Sequence, residues 1–303
     1  MHGFRFICLC LFAISFLGSC ASRPVSQGSA LVLTTDFGVK DGAVSAMKGV
    51  AYSVSPNLLI SDLTHEVPPF DIWTASFRLA QTFRYWPAGT VFVTVVDPGV
   101  GSSRRSVVAR TRSGHYFVGP DNGHLTLVAD DAGIESVRVL NENLQRRRGS
   151  EESYTFHGRD LYVYVGARLA SAALSFNDCG PESSQPLSRI SYQAPEMTSA
   201  GLRGTITVLD PNYGNVWSNI PKRMVVNRFH GAKTIKVRIT RNGTKVFEGT
   251  LPLVDTFASV PKGQGLLYFN SLMNLSVALN QDSFARRHHI GSGPDWGLSL
   301  SDK

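Results

Sequence analysis

Cysteine and charge are both scarce in this 303-residue sequence, and each scarcity excludes a class of protein. The four cysteines, at positions 8, 10, 20 and 179, are too few for a disulfide-rich fold, and none is spaced with histidine as a zinc site requires. Charged residues make up 17% of the chain, and the net charge is only +7. The one tight basic cluster, Arg146–Arg148, has no interleaved aromatic residues, so we interpret it as a solvated loop. We therefore expect no nucleic-acid partner and no metal.

Several common catalytic signatures are also absent. The sequence contains no GxSxG elbow, no P-loop, no HExxH and no CxxC pair. These absences weigh against a serine hydrolase, a nucleotide triphosphatase and a metalloprotease. The glycine-containing stretch TTDFGVKDG is not a GxGxxG loop, so a dinucleotide fingerprint is missing as well. The sequence accordingly predicts no cofactor.

The amino terminus contains a hydrophobic run that is too short to span a membrane. Residues 7–17 are apolar except for Ser15, with Arg5 before them and the box LGSC after them. This pattern predicts a signal peptide over residues 1–20 of the lipoprotein type, with Cys20 acylated after cleavage. A plain secretory signal is the alternative. Either way we expect export to the periplasm or cell envelope, and the lipid on Cys20 would anchor the protein to a membrane.

Beyond a predicted linker at residues 21–30, the chain alternates strands and helices. Strands are expected at 31–35, 58–63 and 91–96, with helices at 41–54 and 72–86 between them and further strands at 106–111 and 116–118. A long apolar helix is expected at 160–174. Strand–helix–strand connections of this length favour parallel strands. We predict an α/β amino-terminal domain over residues 31–175, with a largely parallel sheet flanked by helices.

The carboxy-terminal part has a different sequence pattern. Residues 176–202 are rich in serine, proline and glutamate with little periodicity, and we predict a linker there. From residue 203 to residue 303 the chain consists of short alternating segments such as GTITVL, TIKVRIT and KVFEGTL. This pattern predicts a smaller β-rich, barrel-like domain.

Unusual polar residues follow the predicted strands. Asp36, Asp62 and Asp97 each stand at or just after a strand, and parallel strands bring their carboxyl ends to one edge of a sheet. FHGRD at 156–160 opens the long helix, and DPNYGNVWSN begins at Asp210. Taken singly, an aspartate before glycine or proline is an ordinary turn residue. Their joint placement favours a ligand site.

Four motifs, TTDFG followed by DG, VVDPGVGSSRR, FHGRD and DPNYGNVWSN, resemble in order and spacing those of the S-adenosyl-L-methionine hydroxide adenosyltransferases, relatives of the fluorinating and chlorinating adenosyl transferases. The resemblance covers residues 31–280. It implies an α/β domain followed by a β-rich domain, and a homotrimer with active sites between subunits. It also implies a reaction in which water or hydroxide attacks C5′ of S-adenosyl-L-methionine, giving adenosine and methionine.

The same resemblance implies roles for individual residues. Asp97, Arg104 and His157 match the set that activates water. The substrate-binding positions it implies are Asp36 at the ribose hydroxyls, Phe70 beside the sugar, Asp41 and Asp210 near the methionine ammonium, Asn215 and Phe257 around adenine, and Ser271 near the methionine carboxylate. The halogenating relatives have tyrosine in place of Asp97 and serine in place of Gly158, so this chain favours water over halide.

Three positions depart from the halogenating branch. Leu272 and Leu279 stand where that branch has arginines, and Ala43 stands where it has a serine beside methionine. How the methionine end is held is therefore open. Alternatives to hydrolysis are an exported protein that binds adenosine or S-adenosyl-L-methionine without turnover, a halide-using transferase, and a structural envelope protein that reuses the fold.

Overall fold

The computed structural model describes residues 29–302. The predicted signal peptide, Cys20 and most of the predicted first linker lie outside the described residues. Within residues 29–302, no helix combines the length and the apolar composition that crossing a membrane requires.

The first domain is built on a six-stranded sheet in the order β2-β1-β3-β5-β4-β6. Pairs β2–β1, β1–β3 and β3–β5 are parallel, whereas β4 runs antiparallel to both of its neighbours. Strands β1, with the sequence LVLTT, and β3, an unbroken β-branched and aromatic run, are buried along their whole length, as central strands covered on both faces are. The strands are β1 (Leu31–Thr35), β2 (Ile60–Thr64), β3 (Val91–Val95), β4 (Ser106–Thr111), β5 (Tyr116–Pro120) and β6 (Ile134–Val139).

Helices cover both faces of this sheet. Helix α1 buries Val44, Met47 and Ala51, which share one face, and the side chain of Asp71 caps α2 by accepting from Thr74 N–H at 2.8 Å. The helices of this domain are α1 (Ala43–Val54), α2 (Ile72–Thr82), α3 (Thr126–Ala132), α4 (Glu142–Gln145) and α5 (Val163–Ala170).

Helix α5 does not begin as an ordinary helix. It is preceded by a wide π-helical turn at Gly158–Tyr162, in which Val163 N–H bonds to the carbonyl of Gly158, five residues back. The helix then lies close against β1 and β3, because an added Cβ at Gly166 would come within 2.4 Å of Val93. The predicted helix at 160–174 thus starts two residues earlier, at the wide turn, and α5 ends at 170. The predicted helix at 72–86 continues past α2 as a 3₁₀ turn at Phe83–Tyr85.

The second domain is an eight-stranded antiparallel sheet that nearly closes into a barrel, which confirms the predicted fold class. Its order is β11-β10-β14-β8-β9-β13-β12, with β7 beside β8, and its two edges meet where Val254 N–H donates to Leu267 O at 3.0 Å. The elements are β7 (Glu196–Thr198), β8 (Gly201–Leu209), β9 (Val216–Pro221), α6 (Lys222–Arg228), β10 (Thr234–Arg241), β11 (Thr244–Pro252), β12 (Gly265–Phe269), β13 (Asn274–Leu279), α7 (Phe284–His288) and β14 (Trp296–Ser301).

The residues between the two domains are packed rather than free of contacts. Residues 176–202, predicted as a linker, begin with a 3₁₀ turn that buries Phe176 and Cys179 in the first core, and they include β7. The two domains also contact each other directly, since the Trp73 indole N–H donates to Thr207 O at 2.8 Å.

Candidate active site

A cavity of about 250 Å³ lies at the carboxyl ends of β1 and β3. Asp36 follows β1, Asp97 follows β3, and His157 immediately precedes the wide turn. All three line this cavity, and the parallel pairing of β1 and β3 explains why the two aspartates meet there. The other lining residues are Phe37, Pro69, Phe70, Val95, Val100, Thr155, Phe156 and Gly158.

Asp62, predicted at the end of a strand, lies in the middle of β2 and does not line this cavity. Its carboxylate bonds to Lys48 Nζ at 2.6 Å and lies 3.0 Å from His65 Nε2. The other ring nitrogen of His65, Nδ1, lies 2.9 Å from Thr35 Oγ1 at the end of β1. Asp62 thus belongs to a side-chain network with Lys48 and His65 that reaches the end of β1 through Thr35, outside the cavity.

Asp97 and Arg104 form a buried ion pair beside the cavity. Arg104 Nε lies 3.1 Å from Oδ1 and 3.0 Å from Oδ2 of Asp97, and its NH2 lies 2.7 Å from Oδ2. Their side chains are 5% and 10% exposed. Such a forked, charge-assisted contact fixes the carboxylate in orientation as well as in charge. The turn between the two residues, which contains Gly101 at φ +79°, brings the arginine back to the acid.

Glu142, in the short helix α4, connects Arg104 to His157. Its Oε1 accepts from Arg104 NH1 at 3.1 Å and from Ser106 Oγ at 2.6 Å, while its Oε2 lies 3.0 Å from His157 Nε2. The hydrogen bond with His157 is the main reason that the pKa of Glu142 falls from 4.5 to about 2, and Ser106 and Arg104 lower it further. Glu142 is therefore a carboxylate at neutral pH. Asp97, Arg104, Glu142 and His157 form one continuous network.

Tyr162 stands behind this network at the end of the wide turn. Its hydroxyl lies 2.9 Å from Ser106 Oγ, and the Arg104 guanidinium lies 5.7 Å from the centre of its ring. Burial raises the pKa of Tyr162 far above its usual value, so the phenol stays neutral. It can stabilise the arginine through its ring and its dipole without adding a charge.

Phe70 and Gly158 shape the cavity wall. Phe70 has a φ of +67°, which is rare for an aromatic residue, and its N–H donates to Asp36 Oδ2 at 2.9 Å. The residue is 71% exposed, so this strained position presents the ring at the cavity mouth. On the opposite side, a Cβ added to Gly158 would lie 3.1 Å from Val95 Cγ1. There the wall has no room for a side chain without movement.

A second cavity, of about 930 Å³, lies in the β-rich domain. Asp210, Asn215 and Phe257 line it together with Tyr268, whose ring centre is 4.9 Å from that of Phe257. Asn215 is buried, and Asp210 holds its own turn by accepting from Asn212 N–H and Tyr213 N–H. Within residues 29–302, no residue lines both this cavity and the first one.

Two residues of the predicted substrate set line neither cavity. Asp41 is exposed just before α1, where its Oδ1 accepts from Ala43 N–H at 2.9 Å. Ser271 is exposed in the turn between β12 and β13. The structure therefore does not bring Asp41 and Ser271 to the other site residues within this chain.

In the described part of the chain, no group of three histidine, cysteine or acidic residues is placed to hold a metal ion.

The sequence matches two family models in succession. The SAM hydroxide adenosyltransferase N-terminal domain matches residues 31–180, and the SAM hydroxide adenosyltransferase C-terminal domain matches residues 204–297. The chain belongs to the SAM hydroxide adenosyltransferase family. The resemblance drawn from the four motifs is thereby confirmed.

Individual relatives align with this chain over most of its length. A protein of Methanocaldococcus jannaschii named (R)-S-adenosyl-L-methionine hydrolase is 33% identical over 263 residues, covering 83% of this chain and 92% of that protein. A fluorinase of an Actinoplanes species is 29% identical over 296 residues, covering 89% and 97%. The crystal structure of an uncharacterized conserved protein from Thermotoga maritima aligns with a TM-score of 0.81 at 30% identity, covering 90% of this chain and 100% of that one.

Sequence reasoning missed two residues of the site. Interpreting Arg146 as part of a solvated loop was wrong: it is buried, its NH1 donates to Ser153 O at 2.7 Å, and its NH2 lies 3.2 Å from His157 Nε2. Arg148 of the same run is exposed, as expected. Glu142 was not singled out at all. Its only sequence signal is Asn141 before it, which caps α4.

Proposed function

We propose that this protein hydrolyses S-adenosyl-L-methionine to adenosine and L-methionine. The observation that carries the proposal is the joining of Asp97, Arg104 and His157 beside one cavity, through a buried ion pair and Glu142. The relatives named (R)-S-adenosyl-L-methionine hydrolase, at 32% to 34% identity over 82% or more of this chain, support the substrate.

The main task of the enzyme in this reaction is to position one water molecule and to remove a proton from it. The leaving group is a neutral thioether that departs from a sulfonium, so it needs no proton. The water must be held in line with the C5′–S bond, and it must lose a proton as its oxygen attacks C5′. Carboxylate oxygens of Asp97 can accept a hydrogen bond from this water, and Arg104 keeps that carboxylate in place. His157, on the same cavity, can accept the proton.

Water is favoured over halide for an electrostatic reason. Asp97 accepts hydrogen bonds and cannot donate them, so it attracts the protons of water and repels a halide anion. Gly158 leaves the wall beside Val95 without a hydroxyl that could donate to a halide. Both features support hydrolysis over halogenation.

The proposal is tested by adenosine release from S-adenosyl-L-methionine, measured by chromatography with and without added chloride or fluoride. We expect adenosine and methionine from residues 21–303, and no product from Asp97→Ala or His157→Ala. Asp131→Ala and His230→Ala are matched controls at exposed positions and should keep the activity. Formation of a 5′-halo nucleoside that depends on added halide would show that the protein is a halide-using transferase and not a hydrolase. Tight adenosine binding with no product would show that it binds without turnover.

We further propose a homotrimer in which the two cavities meet across subunits. The first cavity is smaller than a typical ligand pocket and, within one chain, shares no described residue with the second. Exposed aromatic residues such as Phe70, Tyr154 and Tyr213 stand near these cavities and would be covered by a neighbour. Light scattering should give three times the mass of the mature chain.

Mixing two inactive variants tests the shared site. Asp97→Ala damages the first cavity and Asn215→Ala damages the second, so mixed trimers would contain some sites with both halves intact. Activity that returns after unfolding and refolding the two together supports the shared site. Mixtures as inactive as their components would refute it.

For localisation, we propose export and acylation at Cys20. The support is the apolar run at residues 7–17 followed by LGSC. Cys20→Ser should abolish incorporation of labelled palmitate in cells, whereas Cys8→Ser should leave the labelling unchanged. Labelling that persists in Cys20→Ser would refute the anchor.

A further inference from the structure

The two ring nitrogens of His157 lie in different surroundings. Nε2 is 3.0 Å from Glu142 Oε2 and 3.2 Å from Arg146 NH2. Nδ1 is buried and has no hydrogen-bond partner within residues 29–302. Buried polar atoms are nearly always paired, so a free nitrogen in a residue that lines a cavity is expected to serve a ligand.

The charge of Glu142 decides which nitrogen carries the proton. Glu142 is ionised at neutral pH independently of His157, because Arg104 NH1 and Ser106 Oγ both donate to its Oε1, and a carboxylate can only accept hydrogen bonds. Its Oε2 can contact Nε2 at 3.0 Å favourably only when Nε2 is protonated. Arg146 NH2 also lies 3.2 Å from Nε2 and could donate to an unprotonated nitrogen there, but Glu142 Oε2 is closer, at 3.0 Å. A lone pair on Nε2 would face a lone pair of that carboxylate and be repelled by it, so the closer contact favours the protonated nitrogen.

We propose that Glu142 is a positioning residue that holds His157 as the Nε2–H tautomer and so makes Nδ1 the proton acceptor for the attacking water. This inference rests on the proposed hydrolysis. The water O–H bond breaks and its proton goes to Nδ1, the oxygen bonds to C5′, and the C5′–S electron pair leaves with sulfur as the thioether of methionine. The resulting imidazolium is stabilised by the Glu142 carboxylate until the proton passes to solvent.

The contacts of Glu142 make Glu142→Gln a specific test. Arg104 NH1 can only donate, so it will hold the amide oxygen at the present Oε1 position, where Ser106 also donates. The amide NH₂ will then point at His157 Nε2 and force it to accept. The proton moves to Nδ1, and the nitrogen that should receive the proton from water is blocked.

Two measurements follow. Long-range ¹H–¹⁵N NMR spectra of the histidine-labelled protein should show Nδ1 unprotonated in the natural sequence and protonated in Glu142→Gln. The variant should lose at least about 100-fold in kcat, the usual size of a general-base contribution, with KM changed less than about 2-fold. Glu135→Gln is the matched control, because Glu135 lies on β6 in an exposed pair with Arg110 of β4, and it should change neither measurement.

Chemical rescue separates positioning from mere structural support. Glu142→Ala opens space for formate, which should restore part of kcat by supplying a carboxylate to Nε2. No rescue, a natural protein with Nδ1 protonated, or a Glu142→Gln variant with kcat within about 3-fold of normal would each overturn the inference. Absence of adenosine release by the natural protein would instead defeat the proposed function, and the NMR result would still decide the tautomer.

Discussion

Replacing Asp97 by asparagine should destabilise the protein as well as inactivate it. The substitution keeps the shape of the side chain and removes the charge that Arg104 faces through three contacts of 2.7 to 3.1 Å. Removing one partner of a buried ion pair typically costs 3–5 kcal/mol, because the other charge stays buried without compensation. Glu142 Oε1 remains 3.1 Å from Arg104 NH1, so we expect the lower end, about 3 kcal/mol.

Urea unfolding followed by tryptophan fluorescence measures this loss, and adenosine release measures the accompanying fall in kcat, expected at about 10²–10⁴-fold. Asp131→Asn is the control, because it removes the charge from an exposed pair with Arg84 and should cost less than about 1 kcal/mol. A loss below about 1 kcal/mol in Asp97→Asn would refute the argument that the buried pair needs its charge. Unchanged kcat would refute the role of the carboxylate.

Three further substitutions probe the cavity wall, a buried histidine and the domain contact. Gly158→Ala should cost about 1–3 kcal/mol in the free energy of unfolding and reduce adenosine release, because its Cβ would lie 3.1 Å from Val95 Cγ1; wild-type values would contradict this. Burial lowers the pKa of His124 from 6.5 to about 4. Between these two pH values the histidine is protonated in the unfolded chain and neutral in the folded one. Stability, measured by urea unfolding, should therefore fall by about 3 kcal/mol as the pH drops from 6.5 to 4, and His124→Leu should abolish that decline. Trp73→Phe should cost about 1–2 kcal/mol by leaving Thr207 O without its donor, which thermal unfolding would detect as a lower Tm.

Much of the first domain could be predicted because its signals are local. The apolar runs of β1 and β3 are buried on both faces, so the sequence shows them without interruption. Parallel pairing then places Asp36 and Asp97 at one edge, as expected. Helix boundaries were less accurate, since a wide turn and a 3₁₀ turn change where each regular helix begins or ends.

The remainder of the site depends on contacts between distant residues. Glu142 lies in a four-residue helix without periodicity, and only the folded chain brings it to Arg104 and His157. Arg146 was misjudged because arginine is rarely buried unless it is paired, and its partners come from the loop that leads to the wide turn. Asp41, in contrast, bonds locally to the first residue of α1, close to where the predicted helix at 41–54 begins.

The irregular start of the α5 segment determines which side chains can meet. Around a regular α-helix, residues five apart point about 140° away from each other. The five-residue hydrogen bond at Gly158 widens the turn, and the rings of His157 and Tyr162 consequently face the same side, 6.3 Å apart. The extra residue in this turn thus sets the directions of both side chains, so that the imidazole lies at the cavity and the phenol lies beside Arg104. Excising one residue there would regularise the helix and pull the two rings apart.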